Sequence, residues 1–247
     1  MLKLMKYEFK KTMISKFILL AMTAIGEAIF LIGVFAKWDK GLRTGIIILV
    51  LCAIFGVLYI GVESLLVFHR DLNTKQSYML FLTPKNSYKI LGAKILENGI
   101  SILLTGLAFI GLAALDIAVA MVYLGGLQEL LDFIQMVLRH IQVEISVSSE
   151  YVIVAVLLML ASWLLTITMA DLSIVFSATF LAGKRFSGIV SFLFFLVLSF
   201  VSGQLTGMIP FTYGDMMYFV WMFLATFIQV GIFYLAAGWI MERKLSV

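Results

Sequence analysis

Proline, cysteine and charged residues are all scarce in this chain. Its 247 residues include two prolines, one cysteine and 13% charged residues, whereas soluble globular domains carry about 25% charged residues. Hydrophobic residues make up 63% of the sequence, and the mean hydropathy is +1.10. The lone Cys52 excludes a disulfide within the chain, and the low charge excludes an ordinary soluble domain. The long apolar runs instead predict an integral membrane protein.

Motifs for catalysis and for nucleotide binding are also lacking. The only sequence similar to a phosphate-binding loop, ATFLAGKR at residues 178–185, has Ala178 where the loop needs glycine and Arg185 where it needs Ser or Thr. No HExxH or GxSxG sequence is present, and the two histidines, His69 and His140, are far apart in the chain. We therefore predict no enzyme activity, no metal site and no cofactor bound by this chain itself.

Six apolar segments are each long enough to cross a bilayer, which requires roughly 20 helical residues. They lie at about residues 17–36, 45–68, 92–124, 151–181, 186–209 and 217–241. No linker rich in proline, glycine or serine separates them, so residues 1–247 are predicted to form a single transmembrane domain. The expected fold class is an all-α polytopic membrane protein.

The distribution of basic residues predicts the topology. Fourteen of the 18 Lys and Arg residues lie before the first segment, in the second and fourth loops and in the tail, and four lie on the other side. Because cytoplasmic loops collect Lys and Arg, both termini are predicted to be cytoplasmic. The first apolar stretch is longer than the roughly 7–15 residues of a cleaved signal peptide, so we interpret it as a span.

An amphipathic pattern precedes the first span. Residues 1–16 repeat the apolar side chains Leu2, Met5, Phe9 and Met13 at helical spacing, with lysines on another face. This pattern is typical of an elbow helix that lies in the membrane interface. The alternative is a basic flank that only fixes the topology.

A second amphipathic pattern lies in the outer loop. Residues 125–150 repeat leucine, isoleucine and valine at helical spacing, with charged residues between them. They predict an extracellular amphipathic helix. This helix would either pack onto the outer ends of the spans or form an external gate or substrate exit surface.

Five acidic residues lie within the predicted spans or near their ends: Glu27, Glu63, Glu97, Asp116 and Asp171. An ionised residue near the centre of a span costs about 2.5–3.5 kcal/mol on insertion scales, so each is expected to face a partner, a cavity or another subunit. They are interpreted either as the polar lining of a substrate path or proton relay, or as interhelix clamps. We favour the clamp for Glu63 and Glu97.

A GxxxG motif lies in the fifth span, at Gly203 and Gly207. Such glycine pairs allow two membrane helices to approach closely. The motif predicts a dimer contact with a second subunit, and the alternative is local flexibility beside Pro210.

The most unusual stretch is a polar, basic island at residues 69–94, between two apolar segments. Residues 74–82 predict a helix of about two turns, which is too short to cross a bilayer. Pro84 ends this helix, and Ser87 is predicted to cap the next one. The short helix would present a mixed basic and apolar surface of a kind that binds in a partner's groove. The residues of this surface are Lys75, Gln76, Tyr78, Met79, Leu80 and Phe81.

The island carries a resemblance to a known family. The stretch FHRDLNTKQSYMLFLTPKNSYKILGAKIL, residues 68–96, resembles the loop after the second span of bacterial ABC-2 type permeases, the membrane subunits of ABC transporters. The opening LMKYEFKK resembles their elbow helix, and the ending MERKLSV resembles their short basic tail. Six spans, cytoplasmic termini and the lack of an ATPase motif are also similar to this family.

The resemblance implies an ATP-driven exporter of hydrophobic or amphipathic molecules, including peptides, in the bacterial cell membrane. Two permease subunits, as a homodimer or heterodimer, would pair with two copies of a separate ATPase that binds ATP and Mg. Residues 74–82 would be the coupling helix that contacts the ATPase, and no nucleic-acid partner is implied. The alternatives are a proton-coupled secondary transporter that uses the intramembrane carboxylates, and a membrane sensor or assembly protein that transports nothing.

Overall fold

The computed structural model describes residues 2–73, 86–124, 149–181, 186–208 and 216–245, and in these ranges the chain is helical and contains no strand. The helices are α1 (Leu2–Lys11), α2 (Met13–Phe35), α3 (Asp39–Asn73), α4 (Ser87–Leu124), α5 (Ser149–Leu181), α6 (Ser187–Gly207) and α7 (Met216–Ile240), followed by a π-helical turn at Met241–Leu245. By length and composition, each of the six helices α2–α7 is able to cross a membrane. The prediction of a multi-pass, all-α membrane protein with six spans is therefore confirmed.

The amino-terminal helices differ from the prediction in their boundaries. The predicted elbow segment at residues 1–16 contains a separate helix, α1, and also the first residues of the α2 span. The second predicted span also differs, because the carboxyl-terminal end of α3 lies at Asn73, beyond the predicted limit at residue 68. The helix continues because Phe68 and Leu72, one turn apart, both pack into a buried core.

The start of α4 is capped by a different residue from the predicted one. The Asn86 side-chain Oδ1 accepts a hydrogen bond from the Tyr88 backbone N–H at 3.0 Å, whereas Ser87 is the buried first residue of the helix. Asn is as good an N-cap as Ser, so the preceding residue takes this role. The predicted coupling helix at residues 74–82 lies outside the described residues. Residues 125–148 of the predicted outer helix also lie outside them.

The helices contribute to two compact units. Unit 1 comprises Met1–Lys11, Gly61–Ile100 and Ser148–Val247, and unit 2 comprises Thr12–Ile60 and Ser101–Val147. Both α3 and α4 are divided between the two units, at Ile60 and at Ile100. Each unit is therefore built from segments that are distant in sequence.

Unit 1 contains a continuous apolar core. In it α5 packs against α6 and α7, and the ring of Phe176 on α5 stacks on that of Phe194 on α6 with centroids 4.2 Å apart. The buried side chains at the centre of this core come from α3, α4, α5, α7 and the π-helical turn. They are Phe68, Leu72, Leu91, Ile95, Ile167, Leu172, Ile174, Val175, Ala178, Ala237 and Met241.

Unit 2 depends on close contact between α2 and α3 at glycine. A Cβ atom added at Gly45 would lie 2.6 Å from the backbone N and Cα atoms of Phe30, and one added at Gly33 would collide with the backbone of Leu42. Only glycine allows two backbones to approach this closely. The two helices therefore pack as an antiparallel pair through small residues.

The turn between α2 and α3 is a Schellman motif. The Lys37 N–H donates to the Val34 carbonyl at 3.3 Å, and the Trp38 N–H donates to the Gly33 carbonyl at 2.9 Å. Lys37 has a φ of 51°, the left-handed conformation that this motif requires and that glycine usually supplies. The turn thus contains local backbone strain at one residue.

Candidate functional site

Four charged side chains of unit 1 contact one another. The Lys94 Nζ donates hydrogen bonds to Glu8 Oε2 at 2.8 Å and to Asp71 Oδ2 at 2.9 Å. The Lys11 Nζ also donates to Asp71 Oδ2, at 2.8 Å, and lies 3.5 Å from Glu8 Oε1. Two lysines and two carboxylates thus form a closed ring of ion pairs, which we call the charge cluster.

Three helices supply the charge cluster. Glu8 and Lys11 are three residues apart and therefore share one face of α1. Asp71 lies in the last turn of α3, and Lys94 lies two turns into α4. The cluster therefore connects α1 to the two helices that flank residues 74–85.

Three of the four members of the charge cluster are buried, and the Lys11 side chain is 22% exposed. The exposed fractions are 6% for Glu8, 2% for Asp71 and 4% for Lys94. Burial of a charge costs several kcal/mol per ion, and only close opposite charges with satisfied hydrogen bonds offset that cost. The Phe68 ring, whose centroid is 5.2 Å from Lys94 Nζ, adds a cation–π contact. Removal of any one partner would leave the others buried without enough opposite charge.

A further acidic residue lies near the charge cluster but is not one of its members. Asp171 on α5 is 2% exposed, and the charge of Lys94 acts on it. Its Oδ2 atom has no hydrogen-bond partner among the residues that the structure describes. One turn after Lys94, the Asn98 Nδ2 donates to the Gly61 carbonyl at 3.1 Å and so joins α4 to α3.

Neutral hydrogen bonds connect the remaining helices of unit 1. His69 Nε2 lies 3.2 Å from Ser187 Oγ, which joins α3 to α6. The Tyr234 hydroxyl donates to the Tyr88 carbonyl at 2.7 Å, which joins α7 to α4. Together with the charge cluster, these contacts connect the end of α3 and the start of α4 to α1, α6 and α7.

Two of the five predicted acidic residues meet in unit 2. The side chains of Glu27 on α2 and Asp116 on α4 lie close enough to interact with each other. Glu27 Oε2 and Asp116 Oδ1 are buried and have no hydrogen-bond partner in the described part of the chain. Two carboxyl groups can share a hydrogen bond only when one of them carries a proton. This carboxyl pair is an interhelix contact between α2 and α4.

The other predicted site residues are distributed over the chain. Glu97 is buried and Glu63 is half-buried, both in unit 1. Gly203 and Gly207 lie exposed on α6, and a Cβ added at either would meet no atom within 4 Å in the described ranges. Their contact with a second subunit stays a prediction. The predicted coupling surface lies outside the described residues, and comprises Lys75, Gln76, Tyr78, Met79, Leu80 and Phe81.

The charge cluster is absent from the sequence predictions, in which Lys11 and Lys94 count only toward topology. One signal for it exists in the sequence: Glu8 is the single acidic residue of a basic amino-terminal segment and lies three residues before Lys11. No group of three or more possible metal ligands occurs within the described ranges.

Comparison of the chain with known proteins gave no match to a family model, a curated protein or a solved structure. The functional argument therefore depends on the residues and contacts of this chain.

Proposed function

We propose that this chain is the transmembrane subunit of an ATP-driven exporter of the ABC-2 type, located in a bacterial cell membrane with both termini in the cytoplasm. Power would come from two copies of a separate ATPase that bind ATP and Mg, and a second permease subunit would complete the complex. The exported molecule would be hydrophobic or amphipathic, with peptides as one class. The observation that carries this proposal is the charge cluster at the two helix ends that flank residues 74–85.

The charge cluster supports a mechanical role for this part of unit 1. A partner that moves residues 74–85 displaces the end of α3 and the start of α4, to which those residues are covalently joined. The buried ion pairs resist separation because a charge that is left buried without its partner costs several kcal/mol. Motion of these helix ends is therefore passed to α1 rather than lost locally. An externally driven transporter needs such a connection between its contact with the motor and its spans.

Co-purification provides the first test of the proposal. The chain, expressed with a candidate ATPase from an adjacent coding region, is expected to retain the ATPase after mild detergent extraction. The double variant Tyr78→Ala/Phe81→Ala should lose ATPase binding or ATP-dependent transport while its spans remain folded. Phe192→Ala/Phe200→Ala, on the exposed face of α6, is the matched control and should retain both. Full transport in the Tyr78/Phe81 variant would reject the coupling role.

The carboxyl pair favours one second candidate, a proton-coupled secondary transporter. Glu27 and Asp116 are neighbouring carboxyl groups within the spans, and proton relays in membranes use such groups. In this case a protonophore would abolish transport at constant ATP, and Glu27→Gln would abolish it in a well-folded protein. If transport instead continues in Glu27→Gln and follows ATP, the pair is an interhelix clamp.

A further inference from the structure

Unit 2 contains a groove between α2 and α3 that encloses about 360 Å³. Its floor is formed by Leu19, Cys52 and Gly56, which are buried or half-buried. Cys52 and Gly56 are one turn apart on α3 and therefore share one face. Because both are small, that face is recessed beneath its larger neighbours. A Cβ added at Gly56 would lie 2.5 Å from the Leu19 side chain, so the floor is closely packed.

The rims of the groove are large apolar side chains that point away from the protein. Ile18 on α2 is 57% exposed and Phe55 on α3 is 63% exposed. Such side chains on a membrane-spanning helix contact lipid tails, because the surrounding solvent at this level is hydrocarbon. The groove is therefore open sideways to the bilayer.

One end of the groove carries two hydroxyl groups, and a lysine that does not line the groove lies at the same level of unit 2. Ser15 and Tyr59 contribute these hydroxyl groups. Ser15 lies in the first turn of α2, and tyrosine is enriched at the membrane–water interface, so this end of the groove lies near the membrane surface. The next residue, Lys16, donates from Nζ to Ser101 Oγ at 2.7 Å, which fixes its ammonium group at this level of unit 2. The other end, at Met22, lies seven residues along α2, or roughly 10 Å deeper at 1.5 Å per residue.

We propose that this groove binds one acyl chain of a membrane phospholipid, drawn from the leaflet at the amino-terminal end of α2. The tail lies over Cys52 and Gly56, and the phosphate lies near the Lys16 ammonium group. A helix of a partner protein is a poorer occupant, because a helix is about 10–12 Å wide with its side chains and the groove spans only about two turns. The proposal does not depend on the exporter function, since any six-span chain with this groove would bind the same lipid.

A photoreactive lipid tests the proposal on the intact protein. The chain is placed in nanodiscs of phosphatidylglycerol and phosphatidylcholine that contain a trace of phosphatidylglycerol with a diazirine in its acyl chain. After irradiation, the labelled residues are mapped by mass spectrometry. We expect several-fold more label on the groove residues of α2 and α3 than on the equally exposed Phe192 and Phe200 of α6. Equal labelling of the two surfaces would overturn the proposal.

Two variants fill the groove in different ways. Cys52→Phe raises its floor, and Met22→Trp enlarges a rim side chain that is already exposed and so should not disturb folding. Both should lose the excess label. Ile54→Phe and Leu20→Trp are matched controls, since both residues are exposed on the same helices and neither lines the groove. Excess label that survives in Met22→Trp would contradict a tail in this groove, even if Cys52→Phe failed to fold.

The headgroup is tested separately. Lys16→Gln should reduce the excess label several-fold when the diazirine lipid is phosphatidylglycerol, because the favourable charge is removed. If a single-chain amphiphile without phosphate displaces the label as well as unlabelled phosphatidylglycerol does, the groove selects tails alone and the assignment to a phospholipid is wrong. Loss of transport in the ATPase experiments would leave this result unaffected.

Discussion

The two units of this chain bury different kinds of group. Of the buried polar and charged side chains in the described residues, 15 belong to unit 1 and three to unit 2. Those of unit 1 include Glu8, Asp71 and Lys94 of the charge cluster, which are held by ion pairs, whereas α2 and α3 of unit 2 approach each other through glycine. Buried ion pairs are costly to break, and glycine contacts are easily lost when a larger side chain is introduced. The units should therefore differ in how they respond to substitution.

Loss of Lys94 should produce the largest effect. Lys94→Met would leave Glu8 and Asp71 buried with Lys11 as their remaining partner, so the free energy of unfolding should fall by about 3–5 kcal/mol. The measurement is unfolding of the purified protein in mixed micelles as the fraction of denaturing detergent is raised. Lys89→Met, at an exposed position on the same helix, is the control and should change stability by less than about 0.5 kcal/mol. Similar losses in both variants would mean that the charge cluster contributes little.

A second comparison concerns two buried carboxyl groups of unit 1, Asp71 within the charge cluster and Asp171 outside it. Asp71→Asn removes the charge from two short hydrogen bonds and should lower the free energy of unfolding by about 2–3 kcal/mol. Asp171 is equally buried, but its Oδ2 makes no hydrogen bond in the described part of the chain. Asp171→Asn should therefore change the free energy of unfolding by less than about 1 kcal/mol. The same detergent titration measures both, and an equal loss in the two variants would contradict the ring of ion pairs.

Glycine packing in unit 2 should be less costly to disturb. Gly45→Ala would place a methyl group 2.6 Å from the Phe30 backbone. Overpacking costs about 1–3 kcal/mol, and the higher helix propensity of alanine returns nearly 1 kcal/mol, so a net loss of about 1–2 kcal/mol is expected. Gly106→Ala on α4 is the control, because its methyl group would meet no atom within 4 Å in the described residues. A stabilised Gly45→Ala variant would show that the two helices can separate without cost.

Hydropathy was sufficient to predict the six spans because each is encoded by a continuous apolar run. The charge cluster was not predictable in this way, since Glu8 and Lys94 are 86 residues apart and pair only after folding. The acidic residues Glu27 and Asp116 were identified individually as needing partners, but the sequence carries no signal that they partner each other. The sequence therefore shows which buried charged residues need a partner, whereas the identity of the partner depends on how the helices pack.

The smallest expected effect concerns the strained turn in unit 2. Lys37 adopts a φ of 51°, a conformation that costs a non-glycine residue roughly 1–2 kcal/mol. Lys37→Gly removes that cost but increases the entropy of the unfolded chain, so a net gain in stability of up to about 1 kcal/mol is expected. Lys40→Gly, in the first turn of α3, should have the opposite sign, because glycine is the poorer helix former there. Thermal unfolding of both variants in the same detergent measures the difference. If both lower the midpoint, the turn is not strained, and the α2–α3 pair is held by its glycine contacts alone.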